Sequence, residues 1–178
     1  MTIRDVPALE TDRLLLRGHL PDDLSECASM WADPDVTRFI SGHPLSREEV
    51  WVKLLRNVGH WTLFGFGFWV VCEKSSGGFV GEVGLAEFKR DMDPSFEGTP
   101  EIGWVLAPRA QNQGYATEAV RAALAWFDAQ FGPIKTVCLI DPSNGASLRV
   151  ATKCGYTERL RTTHKGKPTV VLERGGAT

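Results

Sequence analysis

Gln111-Asn112-Gln113-Gly114-Tyr115-Ala116, continuing into Thr117-Glu118-Ala119-Val120, is the stretch whose reading decides the fold. It lies between a strand-like run, Glu101 to Leu106, and a run of helical periodicity, Tyr115 to Phe131. A strand, a small-residue loop and a helix start together present backbone N–H groups that have no partner inside the helix. The macrodipole adds partial positive charge at that end. The arrangement suits an anion, and a phosphorylated ligand first of all.

A P-loop needs Gly at both ends of a four-residue gap, then Lys and Ser or Thr. This loop has one Gly and no Lys, which argues against Mg-nucleotide hydrolysis. A dinucleotide fingerprint needs three glycines and an acidic residue at the end of the next strand. Asp141 ends the following strand-like run, but the glycines are missing. Taken alone, the loop is equally an ordinary strand-to-helix turn. Gly114 supplies a permissive backbone there, and Asn112 tolerates the left-handed region.

The remaining pattern, Gln-x-x-Gly-x-Ala, resembles the acetyl-coenzyme A loop of the GNAT N-acetyltransferases, with Gln111, Gly114 and Ala116 at its fixed positions. Other segments are similar to the RimJ/RimL-like branch of that family, in the family's order. They are Leu9 to Arg17, Asp33 to Phe39, Glu101-Ile102-Gly103-Trp104-Val105-Leu106, Gly114 to Ala119, and Asn144 to Ser147 through Lys153-Cys154-Gly155-Tyr156. The resemblance covers most of the chain and is silent on substrate. It implies an α/β fold in a single domain over residues 1–178. The central sheet would be mixed, mostly antiparallel, of about seven strands flanked by about four helices. It also implies a cytoplasmic N-acetyltransferase with acetyl-CoA as co-substrate and no metal, and it leaves room for a homodimer.

Composition fits that expectation without specifying it. The 178 residues are enough for one domain with a core, and 43% hydrophobic with 24% charged residues is ordinary for a globular chain. A formal charge of −2 offers no basic field for nucleic acid. The N-terminal residues lack the basic and apolar regions of a signal peptide. The apolar run around Trp61 to Cys72 falls short of the roughly 20 residues that span a bilayer. Cys27, Cys72, Cys138 and Cys154 have no Cys-x-x-Cys spacing and read as buried thiols in a reducing compartment.

Leu14 to Arg17 reads as a strand, and Pro21-Asp22-Asp23 opens a helix that Asp33-Pro34 stops. Ser46-Arg47-Glu48-Glu49 is a capping box, with Val50, Trp51, Leu54, Leu55 and Val58 as the core face of the helix it starts. Phe64, Phe66 and Phe68 alternate with Gly65, Gly67 and Trp69, which predicts a strand with a bare glycine face. A hairpin at Ser75 to Gly78 leads to a strand over Phe79 to Phe88, and Lys89 to Pro100 is a polar loop. In the helix after Gly114, Ala116, Val120, Ala123, Leu124, Phe127 and Phe131 form one stripe, with Glu118, Arg121 and Asp128 on the other side. Lys135 to Ile140 reads as a buried strand and Ala146 to Lys153 as a short helix. A final strand pair, Thr157 to Thr163 with Thr169 to Glu173, turns at Lys165 to Lys167.

Transfer of an acetyl group to an amine needs a bound thioester, a neutral amine, oxyanion stabilisation and a proton for the leaving thiolate. The resemblance implies direct attack in a ternary complex. It implies that backbone N–H groups of Gln113, Gly114, Tyr115, Ala116 and Thr117 hold the pyrophosphate. It implies that the strand edge at Trp104, Val105 and Leu106 pairs with the pantetheine arm, and that Asn144 contacts the same arm; Gln111 and Lys153 belong to the same set. Asn144 is equally placed to cap a helix. Glu101 begins the strand nearest the thioester and is the proposed base, given a pKa raised by burial; Glu82 and Glu87 are alternatives. At the family's usual Tyr acid stands Ala151, so Ser147 is the substitute donor, with proton delivery from water as the other route.

The acceptor is a small-molecule amine or a peptide N-terminus, with no nucleic acid and no membrane. Asp91, Asp93 and Glu97 would favour a cationic amine if they faced the cleft, although a solvated acidic loop is the plainer reading. His43 lies in the segment expected to roof the cleft. Trp31, Phe39 and Trp61 line either an apolar pocket or the core. A non-catalytic acyl-CoA-binding module is the alternative function. A dicarboxylic acyl donor would need a cationic pocket, and none is identifiable in the sequence.

Overall fold

The structure is a computed structural model that describes residues 5–175. Among them eight strands form one sheet in the order β1-β2-β3-β4-β5-β6-β8-β7. The strands are β1 Leu9–Glu10, β2 Leu14–Arg17, β3 Phe68–Glu73, β4 Phe79–Ala86, β5 Glu101–Leu106, β6 Thr136–Ile140, β7 Thr157–His164 and β8 Lys167–Arg174. The helices are α1 Leu24–Trp31, α2 Pro34–Thr37, α3 Arg47–Phe64, α4 Tyr115–Phe131 and α5 Gly145–Lys153. Every pairing is antiparallel except β5 with β6. The expected fold class stands, with one more strand and one more helix than the resemblance implies. The extra strand arises because Leu9 to Arg17 is a hairpin. Thr11 turns it, its N–H donating to the Leu14 carbonyl at 2.9 Å while its Oγ1 accepts from the Leu14 N–H at 2.9 Å.

Two layers cover the sheet. On one face α4 and α5 pack over Leu14, Leu16, Val71, Val83, Leu85, Ile102, Cys138 and Leu172, with Val120, Ala123, Leu124 and Phe127 as the buried side of α4. On the other face α1 and α3 bury Cys27, Met30, Trp31 and Val50 against Val70, Cys72 and Val105. Fully burying such side chains contributes roughly 1.5–3 kcal/mol each, which fixes both layers on the sheet. The four cysteines are buried free thiols.

Two expectations are corrected. The Phe64 to Trp69 alternation is not one strand. The Ser46–Glu49 capping box forms as read, with Ser46 Oγ accepting from Glu49 N at 3.2 Å and Glu49 Oε2 accepting from Ser46 N at 2.7 Å. The helix it starts runs through Phe64 and ends on Gly65 at φ 75°, a left-handed cap that glycine adopts without strain. Aromatic alternation over six residues lost to a helix already nucleated and packed. The core face of α3 also differs. Val50, Leu54, Asn57 and Trp61 point inward, whereas Trp51, Leu55 and Val58 are 36%, 49% and 37% exposed. On α4, Phe131 is likewise 41% exposed, at the frayed end of its stripe.

Candidate functional site

β5 and β6 run parallel but share one Cα pair, Glu101 with Val137, fastened by Val137 N donating to the Pro100 carbonyl at 3.0 Å. Beyond that point the strands part. Ala107 N donates to the Val80 carbonyl at 2.9 Å, so in the alternating ladder Val105, Gly103 and Glu101 turn their backbone groups to β4. Those of Trp104 and Leu106 turn to the gap. Val105 is therefore removed from the strand-edge set: its backbone faces Glu82 and its side chain is buried under α1.

At the far end of this open edge lies the loop to α4. Asn112 and Gly114 are both left-handed, with φ of 61° and 81°. Among the described residues the N–H groups of Gln113, Gly114, Tyr115, Ala116 and Thr117 meet no acceptor, the first helical bond being Glu118 N to the Gly114 carbonyl at 3.1 Å. The side chains of this loop brace it. Gln111 Nε2 donates to the Leu106 carbonyl at 3.2 Å, and Gln113 Nε2 to the Arg109 carbonyl at 2.8 Å. The Tyr115 hydroxyl donates to Glu73. Arg13 stacks its guanidinium 4.5 Å from the Tyr115 ring centre and donates to the Gln113 carbonyl at 2.9 Å and to Glu118 at 2.8 Å. Glu118 also accepts from Thr11 at 2.6 Å. Burial raises the Glu118 pKa, but the bonds from Thr11 and Arg13 outweigh it and hold the group below its ordinary value. Glu118 lies on the side of α4 away from the apolar stripe, as read, but it is not idle there. It ties the loop to the β1–β2 hairpin, a contact across more than a hundred residues that no local pattern announces.

Ser147 and Asn144 sit at the start of α5. Asn144 is the helix cap, its side chain accepting from Ser147 N at 3.1 Å. Lys153 is exposed at the other end of α5, where its carbonyl accepts from Arg121 at 2.8 Å. Ala151 is fully buried.

Glu101 projects onto the α1–α3 face and is 8% exposed. Arg90 grips it with both arms, Nε to Oε2 at 2.6 Å and Nη2 to Oε1 at 2.8 Å. Burial raises the Glu101 pKa, and the Arg90 charge only partly offsets that. Arg90 Nη1 also reaches His164 Nε2 at 3.2 Å. Arginine only donates, so that nitrogen accepts and the imidazole is neutral. Burial, then Arg90, lowers the His164 pKa. A small cavity of about 10 Å³ beside Glu101 is lined by Phe88, Arg90, Met92, Phe96, Val137 and Leu139. Gly103 and Gly84 pair across the floor of this face, and a Cβ on Gly103 would stand 3.0 Å from the Phe68 ring. The close packing expected against the bare glycines is present at Gly67, where a Cβ would stand 2.6 Å from the Trp61 ring, and Gly84 and Gly103 add a second such surface here.

Glu82, an alternative base, is committed elsewhere. Its carboxylate is 2.7 Å from His19 Nε2 and accepts from Trp31 Nε1 at 2.7 Å and from Asn57 Nδ2 at 3.2 Å. Burial opposes its ionisation, yet His19, Lys53 and Trp31 outweigh that and hold its pKa down. It is a buried structural anion, not a poised base. Glu87 accepts from Gly98 N at 2.9 Å. Asp91 and Asp93 are exposed, and Glu97 pairs with Lys89 at 3.0 Å, so the acidic loop faces solvent. Trp31 and Trp61 are core residues, while Phe39 lies half-buried with Arg38 over its ring at 4.6 Å. His43 is exposed, within a segment anchored across the sheet by Lys167 Nζ donating to the Ser41 carbonyl at 3.2 Å. Arg90, His164, Arg13 and the Glu82 cluster were not read from sequence. Each contact joins segments far apart in the chain without motif or period.

Residues 13–157 match the family described as "Acetyltransferase (GNAT) domain". "Uncharacterized protein YkkB" of Bacillus subtilis is 35% identical over 172 residues, 93% of this chain and 94% of that protein. The structure of a GnaT-family acetyltransferase from Bordetella pertussis is 31% identical, with a TM-score of 0.85 over 96% of this chain and 100% of that one. The fold is also that of RimL, the ribosomal L7/L12 alpha-N-protein acetyltransferase, solved in complex with coenzyme A. There the TM-score is 0.77 at 14% identity, covering 95% of this chain and 98% of that one.

Proposed function

This chain belongs to the GNAT acetyltransferase family, and from that premise we propose that it is of the RimJ/RimL-like branch and moves an acetyl group from acetyl-CoA to a primary amine by direct attack in a ternary complex. The observation that carries this reading is the parting of β5 from β6 next to the unpaired N–H groups of Gln113 to Thr117. The N–H groups would take the pyrophosphate. The Trp104 and Leu106 backbone would pair with the pantetheine amides as a strand edge pairs with a peptide. Gln111 would first give up its bond to the Leu106 carbonyl. Asn144 would add a contact while remaining a cap. The thioester would then lie near Glu101, at the end of the edge where the strands still touch.

Glu101 would accept the amine proton directly or through a water, its raised pKa making it a better base than an exposed carboxylate. Arg90 occupies one lone pair on each oxygen, which leaves the others free to accept from the amine. Ser147, whose hydroxyl is bonded to nothing among the described residues, would donate to the leaving thiolate. The acceptor is a small-molecule amine or a peptide N-terminus. The chain would work in the cytoplasm, as its resemblance to the family implies. The buried Ala151, at the family's usual Tyr position, favours a second reading, an acyl-CoA-binding module without catalysis.

Thermal melting with acetyl-CoA, followed by coenzyme A release with a panel of amines and N-terminal peptides, tests both. Stabilisation with acceptor-dependent release supports the transferase. Stabilisation without release supports the module. No stabilisation by any acyl-CoA sinks the two together.

A further inference from the structure

The acceptor face carries more positive charge than its own carboxylates use. Lys53 and Arg56 stand one turn apart on the flank of α3 that looks toward Glu82 and the start of the β4–β5 loop. Lys53 Nζ lies 4.2 Å from the centre of the Trp31 ring, whose Nε1 is bonded to Glu82. Arg56 and Arg90 approach the Phe88 ring, at 5.5 Å and 4.6 Å from its centre. The two carboxylates on this face are already engaged. Glu101 is held by both arms of Arg90, and Glu82 by His19, Trp31 and Asn57. Neither Lys53 nor Arg56 has a carboxylate oxygen within 4.0 Å among the described residues.

A half-buried lysine without an anionic partner is costly, because burial disfavours its charge. Burial pushes the Lys53 pKa down to about 8, with Arg56 and Arg90 pushing the same way against Glu82. The acidic side chains of the β4–β5 loop, Asp91, Asp93 and Glu97, face solvent, and Glu49, four residues before Lys53, is engaged in the cap at Ser46. A cationic wall of this kind repels polyamines and other polycations. It suits a ligand that brings its own anion.

We propose that the acceptor amine carries an acidic group, a carboxylate or phosphate, seated between Lys53 and Arg56 beside the Phe88 ring. This inference rests on the transferase reading above. The same cations would serve an acidic acyl group on the donor. The acceptor is the carrier we favour, because both residues lie on α3, across the sheet from the cofactor helix α4.

The test compares kcat/KM for matched amines with acetyl-CoA: amino acids, their amides, aminoalkyl phosphonates and diamines. Succinyl-CoA is run beside acetyl-CoA. The acids should exceed their amides by about 10–100-fold, the scale of a charge-assisted hydrogen bond. Lys53→Met and Arg56→Gln should each remove most of that preference by raising KM for the acids, with the amide rates, the melting temperature and acetyl-CoA binding retained. Amides or diamines equal to the acids would overturn the proposal, as would variants that slow both alike. A preference for succinyl-CoA lost in the variants would move the acidic group to the donor and overturn the acceptor assignment. If acetyl-CoA binds but no amine is turned over, the transferase reading has failed separately. Saturation-transfer NMR on the protein with coenzyme A then decides. Binding of the acids but not their amides, lost in a Lys53→Met/Arg56→Gln variant, supports the acidic site, and its absence overturns it.

Discussion

Around the start of α4 the groups offered to a ligand are backbone N–H donors, whereas on the face under α1 and α3 they are side chains gathered from distant segments. The first region is rigid by construction. Asn112 and Gly114 turn the chain, and Arg13, Gln113 and Tyr115 brace it from outside, so the donors are presented without a side chain having to be chosen. The second region is a balance of charges. Glu101 answers to Arg90, Glu82 to His19, and Lys53 and Arg56 have no carboxylate oxygen within 4.0 Å among the described residues. A backbone site specifies a ligand common to a family. A side-chain site is where one member can differ from another, since changing a few residues leaves the fold intact.

The most severe way to break the comparison is at Glu101. Glu101→Gln keeps the shape and one acceptor for Arg90 but removes the base. Turnover should fall about 10²–10⁴-fold while the melting shift produced by acetyl-CoA stays as in the wild type. Full activity in steady-state coenzyme A release would take Glu101 out of the mechanism. The donor region is broken at Gly114, whose φ of 81° a β-branched residue adopts only with strain of about 1–2 kcal/mol or more. Gly114→Val should weaken acetyl-CoA binding by about 10–100-fold in a calorimetric titration, the strain together with displaced N–H donors setting that scale. Unchanged affinity would mean that the loop does not hold the phosphates.

A smaller effect sharpens the separation of the two regions. Arg17 grips Asp23 at 2.7 and 2.8 Å, closing the turn that carries His19 to Glu82. Burial raises the Asp23 pKa, but Arg17 and the Leu20 N–H outweigh it, so the group titrates below its ordinary value. The resulting stability is present above about pH 4, the unfolded value, and is lost as pH falls through the folded one. Asp23→Asn should therefore lower stability by about 2 kcal/mol near neutrality. The gap to wild type should close in denaturant melts below about pH 4, while acetyl-CoA affinity does not move. A gap constant with pH would remove the ion pair as its cause.

The same division governs what the sequence disclosed. Gln111 to Ala116 could be read because a backbone site requires glycine and small residues in fixed order, and order is what a sequence records. The caps at Ser46 and Asn144 were legible for the same reason. The α3 face was misread because Trp51, Leu55 and Val58 are apolar yet exposed, and periodicity cannot tell an inward apolar stripe from an outward one. The phenylalanine alternation was misread because Gly65 could be either a strand residue or a helix cap, and the upstream capping box decided it. Glu101 was chosen because RimL-like proteins also carry an acid at the start of that strand, but its partner Arg90 and the neighbouring His164 were invisible. Their pairing is made only when β5, the loop before it and the β7–β8 hairpin meet. Lys53 and Arg56 carry no motif, and their place beside the Trp31 and Phe88 rings exists only once the opposite wall is built.

The account stands most directly on where acetyl-CoA binds. Backbone amide shifts of the ¹⁵N-labelled protein, followed through a titration with acetyl-CoA, measure that residue by residue. The account predicts saturable changes largest at Gln113 to Thr117 and at Trp104 and Leu106, with the Gln111 side-chain amide moving as it leaves the Leu106 carbonyl. Saturation with those amides unmoved, or no saturable change at all, would contradict it.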